Sequence, residues 1–329
     1  MAADHARAGQ AVKVLVTGAS GTIGRPLSLA LAGAGYAVRA AARDRRALAF
    51  PAGVEIVRLG DLAGPVDWTP LVAGVDAVVH LAGIAHIGRR FTESQYDRIN
   101  HLATAELAQA AARAGVRHFV FLSSIRAQSD THADHVLSEA DAAQPGEPYG
   151  RSKLAAENAV RAAGLPYTIL RPVLVYSPDA KGNLASLIRL ARSALPLPLR
   201  AIDNRRSLLA VENLIAAIAF ALEDARARNE TFIVADPQAV SVGEIVTICR
   251  GALGRGPRLF SLPVQPLAAL STLLGQRDKW HRLAGSLEAP PAKLIAAGWQ
   301  PRLTTEAGLT ALVQAASPRK SGTASRSTA

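Results

Sequence analysis

The 329-residue sequence predicts an α/β fold, a doubly wound parallel sheet with a smaller lobe built from the C-terminal half. Three observations predict it. Apolar runs of strand length alternate with helical segments as far as Pro172, the first strand runs directly into a glycine-rich turn and a helix, and after Arg171-Pro172 the alternation loosens into proline-broken stretches.

Ala11-Val12-Lys13-Val14-Leu15-Val16 is a β-branched apolar run suited to a strand buried on both faces. Thr17 to Gly24 follows as a turn. Pro26 falls in the first helical turn, where its missing N–H costs nothing, and Leu27 to Ala32 continue a helix ending near Gly33 and Gly35. Strands are then predicted at Ala37 to Ala42, Val54 to Leu59 and Ala77 to Leu81, a helix from Tyr96 to Ala114, and a strand at Phe119 to Ser123. A helix starts near Tyr149 and a strand covers Tyr167 to Leu170. Strands joined in that order by right-handed crossovers lie parallel, with helices on both faces. The later part carries helices around Leu184 to Ser193 and Glu212 to Ala225, a strand at Thr231 to Ala235, and proline-rich stretches at 195–199 and 257–266. The expected division is a flexible leader over 1–10, a first domain over 11–172, a lobe over 173–315 with some segments returning to the first domain, and a disordered tail over 316–329.

Composition narrows the function classes. No run of about 18 uncharged apolar residues is present, so no stable membrane insertion is expected. The single cysteine, Cys249, cannot form an intramolecular disulfide, and the first residues lack the basic-then-apolar order of a secretory signal, which together point to the cytoplasm. The net charge of +11 lies wholly in residues 151–329, with 23 basic and 12 acidic side chains, against 14 of each in residues 1–150. Aromatic residues make up 5% and do not interleave with basic ones, which argues against nucleic acid as the partner of that charge. His132 and His135 have no further clustered ligands, so no metal is expected, and Trp68, Trp280 and Trp299 are expected to be packing anchors. The apolar stretch Pro263 to Leu274 is expected as a buried or subunit-contact helix.

Gly18, Gly21 and Gly24, between a strand and a helix, have the spacing that lets a backbone approach a pyrophosphate at a helix N-terminus. This makes the first domain a Rossmann-type dinucleotide-binding domain. An NAD site usually ends its second strand in an acid that accepts from the ribose 2′-OH. Here the strand ends in Ala42, followed by Arg43, Arg45 and Arg46, so the preferred cofactor is NADP(H), with NAD(H) as the alternative. Asp61 and Leu62, after the third strand, suit a contact to the adenine edge, although an Asp there also suits a turn cap.

Tyr149 and Lys153 are four residues apart at a helix start and share a face, while Ser123 and Ser124 end a sheet strand. An ammonium beside a phenol is expected to lower the phenol's pKa toward the working pH, and a serine hydroxyl can hold a substrate oxygen. That is chemistry for hydride transfer at a carbonyl or carbinol.

Thr17 to Gly24, Asp61-Leu62, His80-Leu81-Ala82-Gly83, Asn100, Ser123-Ser124, Tyr149-Gly150-Arg151-Ser152-Lys153 and Arg171-Pro172 together resemble the extended short-chain dehydrogenase/reductases, the NAD-dependent epimerase/dehydratase family, from about residue 11 to 315. The resemblance implies Ser124, Tyr149 and Lys153 as the catalytic triad, with Ser123 a close second to Ser124, and a homodimer formed through helices of the first domain. It implies cofactor contacts from Gly18, Ser20, Gly21, Thr22, Ile23, Gly24, Arg43, Asp61, Leu62, Leu81, Ala82, Gly83 and Lys153. Two departures stand out: Val175-Tyr176-Ser177-Pro178 replaces the usual Val-Tyr-Gly-Pro, and Ile125-Arg126-Ala127-Gln128 lacks the usual tyrosine.

In the lobe, Lys181-Gly182-Asn183, Asn204-Arg205-Arg206-Ser207 and the segment around Arg282 resemble the nucleotide-sugar branch, with Asn183, Arg206 and Arg282 on a UDP diphosphate. With Ser123, Ser124 and Tyr149 these are the expected substrate contacts. The wording is most like UDP-N-acetylquinovosamine dehydrogenases, 4-ketoreductases of polysaccharide pathways. The resemblance therefore implies NADP(H)-dependent reduction, or reverse oxidation, at C4 of a UDP-linked 4-keto-6-deoxy-N-acetyl amino sugar. A 4-epimerase retaining NAD uses the same triad and is the nearest alternative, and a non-catalytic NAD(P)-binding module is the alternative of another class. A dehydratase would want an acidic pair beside the tyrosine, which Ser123-Ser124-Ile125-Arg126 does not offer.

Overall fold

The computed structural model describes residues 11–44, 50–85, 91–178, 183–263 and 284–315, the side chains of residues 183 and 185 excepted, together with residues 265, 273, 275 and 280. The expected leader and tail, Arg45, Arg46, Arg282 and most of 263–274 lie outside the described residues.

Seven parallel strands form the main sheet: β1 (Lys13–Thr17), β2 (Ala37–Ala42), β3 (Glu55–Arg58), β4 (Ala77–His80), β5 (His118–Leu122), β6 (Tyr167–Pro172) and β9 (Glu230–Val234). Their order is β3-β2-β1-β4-β5-β6-β9. The chain builds outward from β1 through β2 and β3, then crosses back to lay β4 on the other side of β1, with Val14 facing both Val38 and Ala77. That reversal opens a crevice above the carboxyl ends of β1 and β4, where such sheets bind ligands.

Alternation along the strands assigns the two faces. Val14 and Val16 pack with Leu27 and Leu31 of α1 (Gly24–Gly33) and with Leu214 and Ile218 of α7 (Val211–Glu223), whereas Leu15 and Val78 pack with Leu107 of α4 (Ala103–Arg113) and Val160 of α5 (Pro148–Ala162). The short α2 (Thr69–Val72) lies beside this second core and ends on Arg39, whose guanidinium donates to the carbonyls of Pro70, Leu71 and Ala73. The helix expected from Tyr96 begins earlier, as α3 (Glu93–Tyr96), because Thr92 and Gln95 close a capping box. It passes through a π-helical segment, Asp97–Leu102, before α4.

The lobe is more ordered than the sequence suggested. β7 (Leu174–Tyr176) pairs parallel with β8 (Leu208–Ala210), and α6 (Asn183–Arg192), α8 (Val242–Ala252) and α10 (Thr305–Ala315) enclose a separate core of Tyr176, Leu187, Leu208, Val246 and Leu312. The short α9 (Ala292–Ala296) packs on β9. Neither β7, β8, α8 nor α10 was expected: the two strands have three residues each, too few for periodicity to register, and α8 is rich in β-branched residues. Part of the basic excess of this half is structural. Arg250, 1% exposed, donates to the carbonyls of Ala191, Ser193, Leu195, Pro257 and Arg258, and so closes the C-terminus of α6.

Candidate active site

The glycine turn has the shape a dinucleotide requires. Gly18 has φ +72°, and a Cβ there would lie 2.9 Å from Ala82 N; a Cβ on Gly24 would lie 2.2 Å from Gly18 O. Only glycine lets β1, the β4 loop and α1 close this far. Ser20, Gly21 and Thr22 are exposed, Ile23 is half-buried and no side chain caps the start of α1, where Arg25 N donates back to Gly21 O and Pro26 carries no N–H. These residues fit the pyrophosphate of a dinucleotide.

Behind the turn runs a buried chain of hydrogen bonds. Leu81 N and Ala82 N both donate to Thr17 Oγ1 (3.2 Å each), which leaves the Thr17 hydroxyl proton for His80 Nδ1 at 2.7 Å. His80 Nε2 then donates to Thr104 Oγ1 at 3.0 Å, and Thr104 donates to Asn100 O at 2.6 Å. This closure requires neutral His80 protonated on Nε2, and burial next to Lys153 pushes its pKa down to about 3. Asn100 fixes the next stretch: it accepts from Ile84 N (2.8 Å) and donates to Ile84 O and to Ser152 Oγ, tying the β4 loop to α5. A Cβ on Gly83 would lie 2.8 Å from Asn100 Oδ1.

Other expected cofactor contacts are placed differently. Arg43 is exposed directly after the buried Ala42, at the end of β2, and Asp44 follows it. Asp61 Oδ1 accepts from Ala63 N at 3.1 Å, so its carboxylate caps its own turn, and Leu62 is buried in the core beneath β3.

The residues expected as a triad lie at the carboxyl end of β5 and the start of α5. Ser124 caps the one-turn 3-10 helix Ile125–Ala127 through its Oγ, which accepts from Arg126 N at 3.2 Å. Pro148 starts α5, which turns Gly150, Ser152, Lys153, Ala156, Glu157 and Val160 inward. Tyr149 is half-buried, with the Tyr96 ring 5.8 Å away. Lys153, 7% exposed, donates from Nζ to Leu122 O at 2.6 Å and lies 4.2 Å above the Phe121 ring.

The expected lowering of the phenol by the ammonium is not what the structure shows. Burial raises the Tyr149 pKa, Ser124 and Arg126 oppose the rise, and Tyr96 adds to it. Lys153 is spent on Leu122, and burial brings its own pKa down to about 7 against the opposing field of Glu157.

Of the two serines, Ser123 faces inward. Its Oγ donates to Glu157 Oε1 at 2.6 Å, and Glu157, wholly buried, also receives Arg171 Nε (2.9 Å) and Nη2 (2.7 Å) as a fork and Arg161 Nη2 at 3.1 Å. Arg171 Nη1 continues to Gln128 Oε1 at 2.9 Å. Sequence reasoning missed Glu157, although its place four residues beyond Lys153, on the buried face of α5, was a signal that a partner must exist.

In the lobe, Asn183 opens α6 with its side chain outside the description, as is Arg282. Arg206 is half-buried and donates from Nη1 to Gly285 O at 2.7 Å, while its backbone bridges to Val240 and Leu287. The segment 204–207 is thereby clamped to 285–289, with Ala289 N donating to Ser207 Oγ. Among the described residues no helix is long and apolar enough to cross a membrane.

Comparison with known proteins agrees with this geometry. The chain is 31% identical over 314 residues to a protein named UDP-glucose 4-epimerase from Vibrio cholerae, covering 92% of this chain and 94% of that protein. It is 30% identical to a ceramide reductase from Caulobacter vibrioides, covering 83% and 80%. The structure of MoeE5 in complex with UDP-glucuronic acid and NAD superposes with a TM-score of 0.71 at 26% identity, over 92% of this chain and 98% of that one. The family model for the NAD dependent epimerase/dehydratase family matches residues 14–235. With that match over residues 14–235 and the 31% identity across 92% of its length, the chain belongs to the NAD dependent epimerase/dehydratase family, the extended short-chain dehydrogenase/reductases.

Proposed function

We propose that this protein is a nucleotide-sugar oxidoreductase that uses NADP(H) to reduce, or in reverse to form, a ketone at C4 of a UDP-linked 6-deoxy-N-acetyl amino sugar. The observation that carries the reading is the docking of the start of α5, with Tyr149 and Lys153 on successive turns, against the end of β5, where Lys153 Nζ donates to Leu122 O two residues before Ser124 and a Cβ on Gly150 would meet Arg126 O, with the glycine turn at the end of β1. The preference for NADP(H) is supported by exposed Arg43 after Ala42, where an NAD site usually has an acid. The UDP-sugar substrate is supported by the Vibrio cholerae relative's name and by MoeE5, solved with a UDP-sugar. The same reading takes Asn183, Arg206 and Arg282 as the diphosphate contacts, 173–315 as mainly the substrate lobe, and a homodimer in the cytoplasm as the working form.

A bound nicotinamide supplies or accepts the hydride. The chain's own residues then do four things. Gly18 to Gly24 and the first turn of α1 hold the pyrophosphate, and Lys153 holds the nicotinamide ribose. Ser124 orients the substrate carbonyl. Tyr149, kept protonated at neutral pH because burial raises its pKa, gives its proton to the carbonyl oxygen, which is the state the reducing direction needs. Lys153 then stabilises the phenolate.

A second reading, a 4-epimerase that retains its cofactor, is favoured by the name of the Vibrio cholerae relative. Single-turnover reaction with a UDP-2-acetamido-2,6-dideoxy-4-ketohexose and NADPH or NADH separates the two. The reductase predicts a two-hydrogen mass gain with NADPH preferred, and Arg43→Ala shifts that preference toward NADH. Interconversion of UDP-N-acetylglucosamine and its 4-epimer without cofactor consumption establishes the epimerase. Tyr149→Phe is expected to keep cofactor binding and lower kcat by at least about 100-fold; unchanged turnover refutes the assignment, and binding without turnover across a panel of 4-keto nucleotide sugars supports a non-catalytic module.

A further inference from the structure

Much of the basic excess of the lobe is gathered in one place. The stretches 184–202 and 245–263 contain no acidic side chain and carry Arg189, Arg192, Arg200, Arg250, Arg255 and Arg258. The fold knits the two together where α6 and α8 end. Leu197 N donates to Arg258 O and Phe260 N to Leu197 O, both at 3.1 Å, and Arg200 N donates to Phe260 O at 3.2 Å. Arg258 Nη1 donates to Ala194 O at 3.1 Å, and Arg255 Nη1 donates to Arg192 O. Arg250, Arg255 and Arg258 thereby line, with Ser193, Gly254 and Gly256, a cleft of about 370 Å³.

Backbone carbonyls hold these guanidinium groups without neutralising them, and none of the six arginines pairs with a carboxylate among the described residues. Elsewhere exposed arginines find one: Arg117 pairs with Asp76, Arg151 with Glu93 and Arg226 with Asp224. The surface around the cleft is apolar. Leu195 is 65% exposed, Phe260 41% and Leu262 38%, and Leu190 near the end of α6 is exposed beside Arg189. Leu259 packs on the lobe core, which leaves Arg258 and Phe260 on either side of it exposed. A lone exposed leucine needs no explanation, but apolar side chains set among arginines without counter-charge mark an interaction surface.

This surface lies at the opposite end of α6 from Asn183. The helix has ten residues and is about 15 Å long, so the cleft is separate from the end of α6 assigned to the diphosphate. We propose that this face of the lobe docks the protein peripherally on a bilayer of anionic phospholipid, with the arginines against the phosphates and Leu195, Phe260 and Leu262 in the headgroup layer. A free phosphate or a hydrated polyanion engages the arginines and leaves the apolar side chains in water. An anionic bilayer engages both.

The test is cosedimentation of the full chain with vesicles of phosphatidylglycerol and phosphatidylcholine, and with vesicles of phosphatidylcholine alone. Binding is expected with the first only, weakening as salt rises. Arg255→Gln/Arg258→Gln should lower the partition coefficient about 25-fold, at about fivefold for each basic side chain near an anionic surface. Leu195→Ser/Phe260→Ser should lower it at least about tenfold, the worth of one buried apolar side chain. Net charge alone draws a basic protein to an anionic surface, so Arg58→Gln/Arg113→Gln, both exposed on the main-sheet domain, is the control and should keep most of the binding. Failure to bind phosphatidylglycerol vesicles, or an equal loss in the control, overturns the proposal. Unchanged binding by Leu195→Ser/Phe260→Ser, or its abolition by inorganic phosphate at matched ionic strength, assigns the arginines to a free anion and overturns it as well. If Arg255→Gln/Arg258→Gln does not fold, Arg189→Gln/Arg200→Gln, exposed and with no side-chain tie to a carbonyl, carries the charge test. Sedimentation needs neither cofactor nor turnover, so this inference stands or falls separately from the proposed reaction.

Discussion

Glu157→Ala is the perturbation from which the structure draws the largest consequence. The carboxylate is wholly buried and receives four hydrogen bonds, from Ser123, from Arg171 twice and from Arg161. Its removal leaves the Arg171 guanidinium in the interior, with Gln128 Oε1 as its remaining side-chain acceptor. Deleting one partner of a buried pair costs about 3–5 kcal/mol. Unfolding entropy of about 2.1 cal/mol/K per residue amounts to about 0.7 kcal/mol/K over the 329 residues, so the midpoint should fall by about 4–7 °C. Calorimetry of the cofactor-free chain reads the shift directly. The double variant Glu157→Leu/Arg171→Met removes both charges and should recover at least half of the loss, since a buried pair exchanged for apolar side chains is often neutral. A midpoint within about 1 °C of wild type for Glu157→Ala would refute the reasoning, because it would mean that Arg171 finds another counter-charge at no cost.

Two more outcomes follow from the same geometry. Gly18→Ala imposes a positive φ on a residue with a Cβ and drives that Cβ to 2.9 Å from Ala82 N, backbone that cannot swing aside; dinucleotide Kd measured by fluorescence titration should rise by at least about tenfold, or about 1.4 kcal/mol. Gly35→Ala, with φ +90° and open space around the new Cβ, is the control and should leave the Kd unchanged. Lys153 is held at about 7 in the folded chain against an ordinary 10.5, so the unfolded state binds more protons between those values and cofactor-free stability should rise with pH across that window. Lys153→Met should flatten that rise in denaturant titrations run from pH 7 to 10; an unchanged slope would show that the amine is not held down by burial.

The parts of the site that were legible in the sequence are local along the chain. Gly18, Gly21 and Gly24 lie within one turn, Tyr149 and Lys153 are one helical turn apart, and Ser124 follows its strand directly, so spacing alone placed them. The capping box at Thr92 and Gln95 was equally local and was passed over, which put the start of the helix at Tyr96. Asp61 carries two readings, a contact to the adenine edge and a turn cap, and its Oδ1 accepts from Ala63 N, two residues on.

The sequence by itself determined the fold class, the glycine turn and the helical register that puts Tyr149 and Lys153 on one face, because periodicity, glycine spacing and helical registry are properties of neighbours along the chain. Only the tertiary structure decided the protonation and pairing of those groups. Ser123 is tied to Glu157, which also receives Arg171, His80 is held neutral between Thr17 and Thr104, and Lys153 is turned to Leu122. Each depends on burial and on groups a few ångströms apart in space but 14 to 63 residues apart in sequence, where no local pattern reports them.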